Sequence, residues 1–215
     1  MVRVSTTAPT TTAPPNRARV LRLQSAHTTL LHAARDIVAE HGWQGAQIAL
    51  IAARAGVATG SVYRHFASKA DLFAEVLALV SQREVDVVDA FARGEGPAPD
   101  RLRDAVATFM TRALRRRRLA YALIAEPCEP AIDQARLVYR AALVRAFERL
   151  VEDGLVRGEF RKVHAATAAS CVAGAMMESL VGPLAPDVAP ETRTATTLVR
   201  NTAALCVAML AREMA

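Results

Sequence analysis

Large rings are scarce in this chain: six Phe, three Tyr and one Trp make up 5% of 215 residues, against an apolar share of 52%. The apolar share is too high for global disorder. A core with so few rings must close on aliphatic and alanine side chains, which suits tightly packed helices better than strands. Cysteine is scarce too. Cys128, Cys171 and Cys206 are odd in number and none form a CxxC pair, which excludes zinc-ribbon and redox motifs. Their expected state is reduced and core-type, as in a cytoplasmic protein. Long apolar runs are missing. Residues 1–16 are rich in Thr, Ala and Pro and lack the apolar core of a signal peptide. Ala165 to Met177 is followed by Glu178 and is too short to span a bilayer, so no membrane partner is expected. The five histidines are scattered, and His27, His32 and His41 lack the i, i+4 spacing of a helical metal pair. With no phosphate loop or nucleophile elbow either, no catalytic residue, metal or cofactor is assigned. A helical enzyme stays as an alternative that metal in the purified protein would revive.

What is present is unevenly placed. Residues 1–70 hold eight Lys or Arg and two acids, whereas residues 71–215 hold nineteen of each. A basic head on a neutral body points to a polyanion partner. A solvated basic tail at Arg17, Arg19 and Arg22 is the plainer alternative.

Apolar spacing and turn residues predict helices throughout. The first covers about 26–41, with Leu30, Leu31, Ala34, Ile37 and Val38 in register and Gly42 at its end. The second covers about 47–55 and is closed by Gly56, and the third about 59–66. The fourth opens on the capping box Ser68-Lys69-Ala70-Asp71 and runs to about Ala92. Five more are expected at about 101–116, 119–125, 132–152, 165–180 and 191–212. The division is a disordered basic arm over 1–22, a helix-turn-helix domain over 23–70 and a helical body over 71–215.

Two short helices around Gly56 make a helix-turn-helix, whose second helix enters a DNA major groove. Such a helix needs short polar residues at its start to reach base edges, and flanking groups that hold phosphates. Thr59, Gly60 and Ser61 meet the first need, with the bare backbone of Gly60 allowing close approach. Tyr63, Arg64, His65 and Lys69 meet the second. Lys69 stands in the first turn of a helix, where free amides already favour an anion. Val62 and Phe66, four apart, are expected to face the head's core.

These residues resemble the DNA-binding domain of the TetR family of bacterial transcriptional regulators. The resemblance is carried by Ala33-Ala34-Arg35-Asp36-Ile37 with Gly42, by Ile51-Ala52 and Ala55-Gly56-Val57, and by Ser61-Val62-Tyr63-Arg64-His65-Phe66 with Ser68-Lys69. It implies an all-α homodimer: an N-terminal three-helix, helix-turn-helix DNA-binding domain plus a C-terminal helical body for ligand binding and dimerisation. It further implies repression of transcription, release of the operator on ligand binding, and phosphate contacts by Tyr63, His65 and Lys69. Gln47 and Leu50 stand where the family has a hydroxyl residue and an acid at the second helix, and Gln47 is counted with the DNA-binding set. Ala58 replaces the usual Ser cap of the recognition helix, and Thr59 is expected to take over as cap. A regulator that binds operator DNA without a ligand is the nearest alternative.

In the body, the stripe Ala195, Leu198, Val199, Thr202, Cys206, Met209, Leu210 and the side carrying Val172, Met176 and Leu180 are expected to form a homodimer interface through the last two helices. Internal core is the competing use of both stripes. The bend at 121–130 suggests a pocket for an apolar or amphipathic small-molecule effector. Its candidate lining is Phe109, Tyr121, Glu126, Cys128, Tyr139, Phe147 and Met177. The run Arg115 to Arg118 turns through every face of a helix, so it is expected to be a solvated helix end.

Overall fold

The computed structural model describes residues 17–189 and 192–212, and among them every regular element is a helix. In chain order these are α1 (Arg17–Gly45), α2 (Ile48–Ala55), α3 (Thr59–Val62), α4 (Lys69–Ala92), α5 (Ala98–Arg115), α6 (Arg117–Ile124), α7 (Pro130–Val156), α8 (Ala165–Leu184) and α9 (Thr192–Ala208).

Two cores follow from the apolar registers. Leu30, Ile37 and Val38 of α1, Ile51 of α2, Val62 and Phe66 around α3, and Leu72 to Leu77 of α4 close a small head core. The body core takes Val85 and Val88 of α4, Leu102 and Met110 of α5, Phe147 and Leu150 of α7, Met176 and Leu180 of α8, and Cys206 of α9. The long α4 therefore belongs to both. The crossing point lies between Leu77 and Val85, later than the expected division at residue 70. The head core is also sealed from the body side by Leu119, Ala122 and Ile132.

The linker at 94–99 is tied down. Arg101, 6% exposed, donates to the carbonyls of Ala92 and Gly96 at 2.9 and 3.1 Å and pairs with Asp153 of α7. Its guanidinium satisfies carbonyls that α4 leaves open at its C-terminus.

Four expectations change. The basic segment 17–22 is the start of α1 rather than a disordered arm, while residues 1–16 lie outside the described residues. Arg115 to Arg118 is a corner rather than a solvated end. α5 stops at Arg115, Arg116 adopts φ −123° and ψ 48°, and α6 begins at Arg117. Two of the four arginines are structural ties: Arg117 donates to the carbonyls of Pro183 and Val188 at 2.7 and 2.6 Å, and Arg118 grips the head. Third, α8 runs on through the exposed Glu178 to Leu184, so it is longer than expected and meets the length and mean hydropathy of a membrane span, as core helices also can. Only 28% of that apolar window is buried within the single chain. Last, the stripes expected to dimerise are mostly internal: Val172, Met176, Leu180, Thr202, Cys206 and Leu210 pack into the body. The outward face of α8 is Thr167, Cys171, Gly174, Ala175 and Glu178, and α9 turns Asn201, Ala204 and Leu205 out beside it. Apolar spacing located the stripes but not their use, because a stripe that meets the chain's own core and one that meets a second copy have the same register.

Candidate functional site

The head presents one polar surface. Gly56, with φ 70° and ψ 30°, is the left-handed residue that lets α2 stop and the chain turn into α3, a conformation glycine takes without a Cβ penalty. α3 is a single turn, because backbone bonds from Arg64 and His65 return to Ser61 and Val62 and tighten the chain. Val62 and Phe66 are buried as expected, which leaves Thr59, Gly60, Tyr63 and Arg64 exposed. A Cβ at Gly60 would meet nothing within 4 Å, so nothing within the chain requires a glycine there.

Gln47 and Ala58 occupy the N-cap positions of α2 and α3, and neither side chain caps. The cap expected from Thr59 does not form, because Thr59 is already the first helical residue. Each missing cap costs about 0.5–2 kcal/mol. It also leaves the Gln47 and Thr59 side chains free and the first amides of both helices without side-chain acceptors. Ser68 behaves as its motif predicts: its Oγ accepts from the Asp71 amide at 3.0 Å and donates to the Asp71 carboxylate at 2.8 Å.

The phosphate-holding candidates have mixed roles. Tyr63 is 53% exposed. The ammonium of Lys69 sits 5.1 Å from the centre of the Phe73 ring, which fixes its stem at the start of α4. Arg64 folds back, donating to Ser61 Oγ at 2.6 Å, so those two form a pair rather than two independent readers. His65 is half-buried and edge-on to His27, 6.3 Å between ring centres. His27 was not legible as a participant. It stacks on Phe66 at 4.5 Å and lies 2.8 Å from a carboxylate oxygen of Glu75, bracing α1 against α3 and α4. Its partners are 39 and 48 residues away in the chain, beyond any local pattern.

A joint links this surface to the body. Trp43 Nε1 donates to the Ala122 carbonyl at 2.6 Å, and the Trp43 amide donates to Glu126 at 3.3 Å. Arg118 binds both Glu126 oxygens, at 3.1 and 3.2 Å, and donates to the His41 carbonyl at 3.0 Å. Glu126, 6% exposed, is thus a structural carboxylate rather than a pocket residue. Gly42 completes the joint with φ 70° and ψ −175°.

Beside the joint lies a cavity of about 260 Å³ between α4, α5, α6 and α7, with α8 contributing Met177. That volume is just below the usual span of ligand pockets, about 300–1,000 Å³. Phe109, Tyr139 and Met177 line it as expected, with Leu119, Leu123 and Ile124 of α6. Burial pushes the Tyr139 phenol up, which keeps it a neutral donor. Tyr121 and Phe147 do not line it: Tyr121 packs against the body core and Phe147 is wholly inside it. Six arginines also line the cavity, with Glu84 the single acid among them. Arg112 is bound to Glu84 by two contacts of 2.8 Å. Arg136 donates to the carbonyls of Ala122 and Glu126, at 3.1 and 2.8 Å, and its buried Nε has no partner among the described residues.

Cys128 is behind this wall, not on it. Its thiol donates to Asp133 at 3.3 Å and receives Arg136 at 3.2 Å. Burial pushes the thiol up to about 11, against which the Arg136 charge only partly works. Cys206, buried in α9, is likewise raised to about 11 by burial, whereas Cys171 is exposed and not core-type. The thiolate is the reactive form, so both raised thiols are expected to stay about a hundredfold less reactive than free cysteine at pH 8. Iodoacetamide followed by peptide mapping tests this. Rapid alkylation of Cys128 in the folded protein would contradict this and mark it as an activated thiol.

Residues 30–76 match the family model of the bacterial regulatory proteins, tetR family. No curated protein matches the chain. Among solved structures, FadR of Bacillus subtilis in complex with stearoyl-CoA is similar over 84% of this chain and 97% of its own, with TM-score 0.72 and 18% identity. SmeT, the repressor of a multidrug efflux pump of Stenotrophomonas maltophilia, is similar over 89% and 93%, with TM-score 0.72 and 19% identity. RolR in complex with resorcinol is similar over 91% and 92%, with TM-score 0.67 and 18% identity. At these identities the shared property is the fold.

Proposed function

We propose that this TetR-family transcriptional regulator is a cytoplasmic repressor that binds a roughly palindromic operator as a homodimer and releases it when a small molecule fills the body cavity. The observation that carries the reading is the double duty of α6. Leu119 and Leu123 line the cavity, while Ala122 and Arg118 hold Trp43 and His41 of the head. A ligand that displaces α6 must therefore disturb the joint. It acts only to the extent that it binds the displaced arrangement more tightly. The resorcinol and stearoyl-CoA complexes of two structural neighbours support a ligand-holding body.

Dimerisation is supported by the outward faces of α8 and α9. Gly174 and Gly182 have nothing within 4 Å of a Cβ position, and small residues around them permit close helix-on-helix approach. A twofold pair would set two heads on successive major grooves, about 34–36 Å apart.

The first test is a gel-shift titration with DNA flanking the protein's own gene, across a salt series and against unrelated competitor. A discrete shift that survives competitor supports the operator reading, and smearing that competitor abolishes counts against it. On the specific complex, Lys69→Ala is expected to weaken binding and to shallow the log–log salt slope by about 0.9 per protomer. Tyr63→Phe should weaken binding through its lost hydroxyl and leave the slope alone. Unchanged affinity in both variants would remove these residues from the interface.

A further inference from the structure

The body cavity has an apolar interior and an unneutralised basic rim. Arg83, Arg115, Arg116 and Arg140 are exposed around it, and none pairs with an acid among the described residues. The one lining acid, Glu84, is already committed to Arg112. Two of the rim arginines are consecutive at the α5–α6 corner, where the break at Arg116 holds both near the mouth. The first turn of α6 beside them carries no acid and no side-chain cap. On the inner side, the buried Nε of Arg136 is a donor without an acceptor. Away from the cavity, Arg101 and Arg149 of the same body each meet a carboxylate.

Like charges gathered at one apolar mouth repel, and an anion placed among them removes that cost. Guanidinium groups in particular fork onto carboxylate or phosphate oxygens. We propose that the cavity takes an anionic amphiphile: an apolar chain or ring system held inside by Phe109, Leu123 and Met177, with a carboxylate or phosphate among Arg83, Arg115, Arg116 and Arg140. This rests on the reading of the cavity as the effector site and narrows its chemistry, because a neutral phenol or a cation fills the interior without using the rim.

Calorimetric titration of the full chain with dodecanoate, dodecyl phosphate, dodecanol and dodecyltrimethylammonium, each below its micelle concentration, tests the proposal. Both anions, or the one whose headgroup the rim prefers, are expected to bind about tenfold or more tightly than the alcohol, with the advantage shrinking as salt rises. The preference between the two anions identifies the headgroup. Arg115→Gln combined with Arg116→Gln changes exposed side chains, so helicity measured by circular dichroism should persist. The pair should lose about tenfold in anion affinity with alcohol affinity unchanged, and Lys at both positions should restore part of it. Alcohol binding as tight as the anions, or anion affinity unmoved by the double variant, overturns the proposal and leaves the cavity reading standing. Binding of none of the four overturns both. Anion binding that leaves the operator complex intact supports the proposal and removes ligand-driven release.

Discussion

Gly42→Ala is expected to lower the unfolding free energy by about 2–4 kcal/mol, a large loss for a single methyl group. Two effects add. Positive φ with extended ψ is a backbone state essentially confined to glycine, and Gly42 holds it at φ 70° and ψ −175°. A Cβ there would also overlap the Arg118 guanidinium and a Glu126 oxygen. Either Arg118 leaves, stranding a carboxylate that is 6% exposed, or α1 moves away from α6. Arg118 is itself partly exposed, so water screens some of the loss and the lower half of the range is favoured. Urea denaturation measures the effect. Gly60→Ala is the control: its φ is not positive and its Cβ has open space, so stability should hold or rise by a few tenths of a kcal/mol. If Gly42→Ala is as stable as that control, the joint does not have the geometry described.

Gly174→Arg is expected to leave the chain folded and monomeric, and to reduce operator affinity by about 100-fold or more. Nothing within 4 Å opposes a side chain at Gly174 in the single chain, so folding has little to lose beyond a solvated surface change. Across a twofold helix pair the same side chain has no room and brings two cations together. Without its partner a head binds one half-site, and the effective-concentration advantage of two linked heads disappears. Light scattering on a sizing column gives the oligomeric state, and the gel shift gives the affinity. A variant that remains dimeric would move the interface off α8. A monomer that still binds with parental affinity would instead make each head an independent binder.

The elements legible in the sequence were those whose signals are local. Gly56 and the Ser68 capping box marked helix ends because one residue's backbone freedom, or one side chain three positions away, decides them. The head's exposed polar surface was readable for the same reason, since Thr59 through Lys69 is nearly continuous in the chain. The body site was not. Phe109, Tyr139 and Met177 were found by helical register, but register also selected Tyr121 and Phe147, which point into the core. Glu126 looked like a free acid at a bend because its partners, Trp43 and Arg118, come together only when α1 meets α6. The four-arginine run was visible, yet its division into two rim residues and two ties depends on the break at Arg116, a tertiary outcome. The expected dimer stripes turned inward: periodicity found the apolar side of α8 and α9, but an apolar stripe reads the same whether it meets the chain's own core or a second copy.

Trp43 is the only tryptophan in the chain, and its ring lies 5.2 Å from Phe73 with its N–H bonded to α6. Indole emission depends on solvent access and on that hydrogen bond. The protein therefore carries its own optical gauge at the seam between the head and the body. Every photon it emits near the red edge of protein absorption comes from that one place, so engagement of the two halves is readable in real time, without a label and in the unaltered protein.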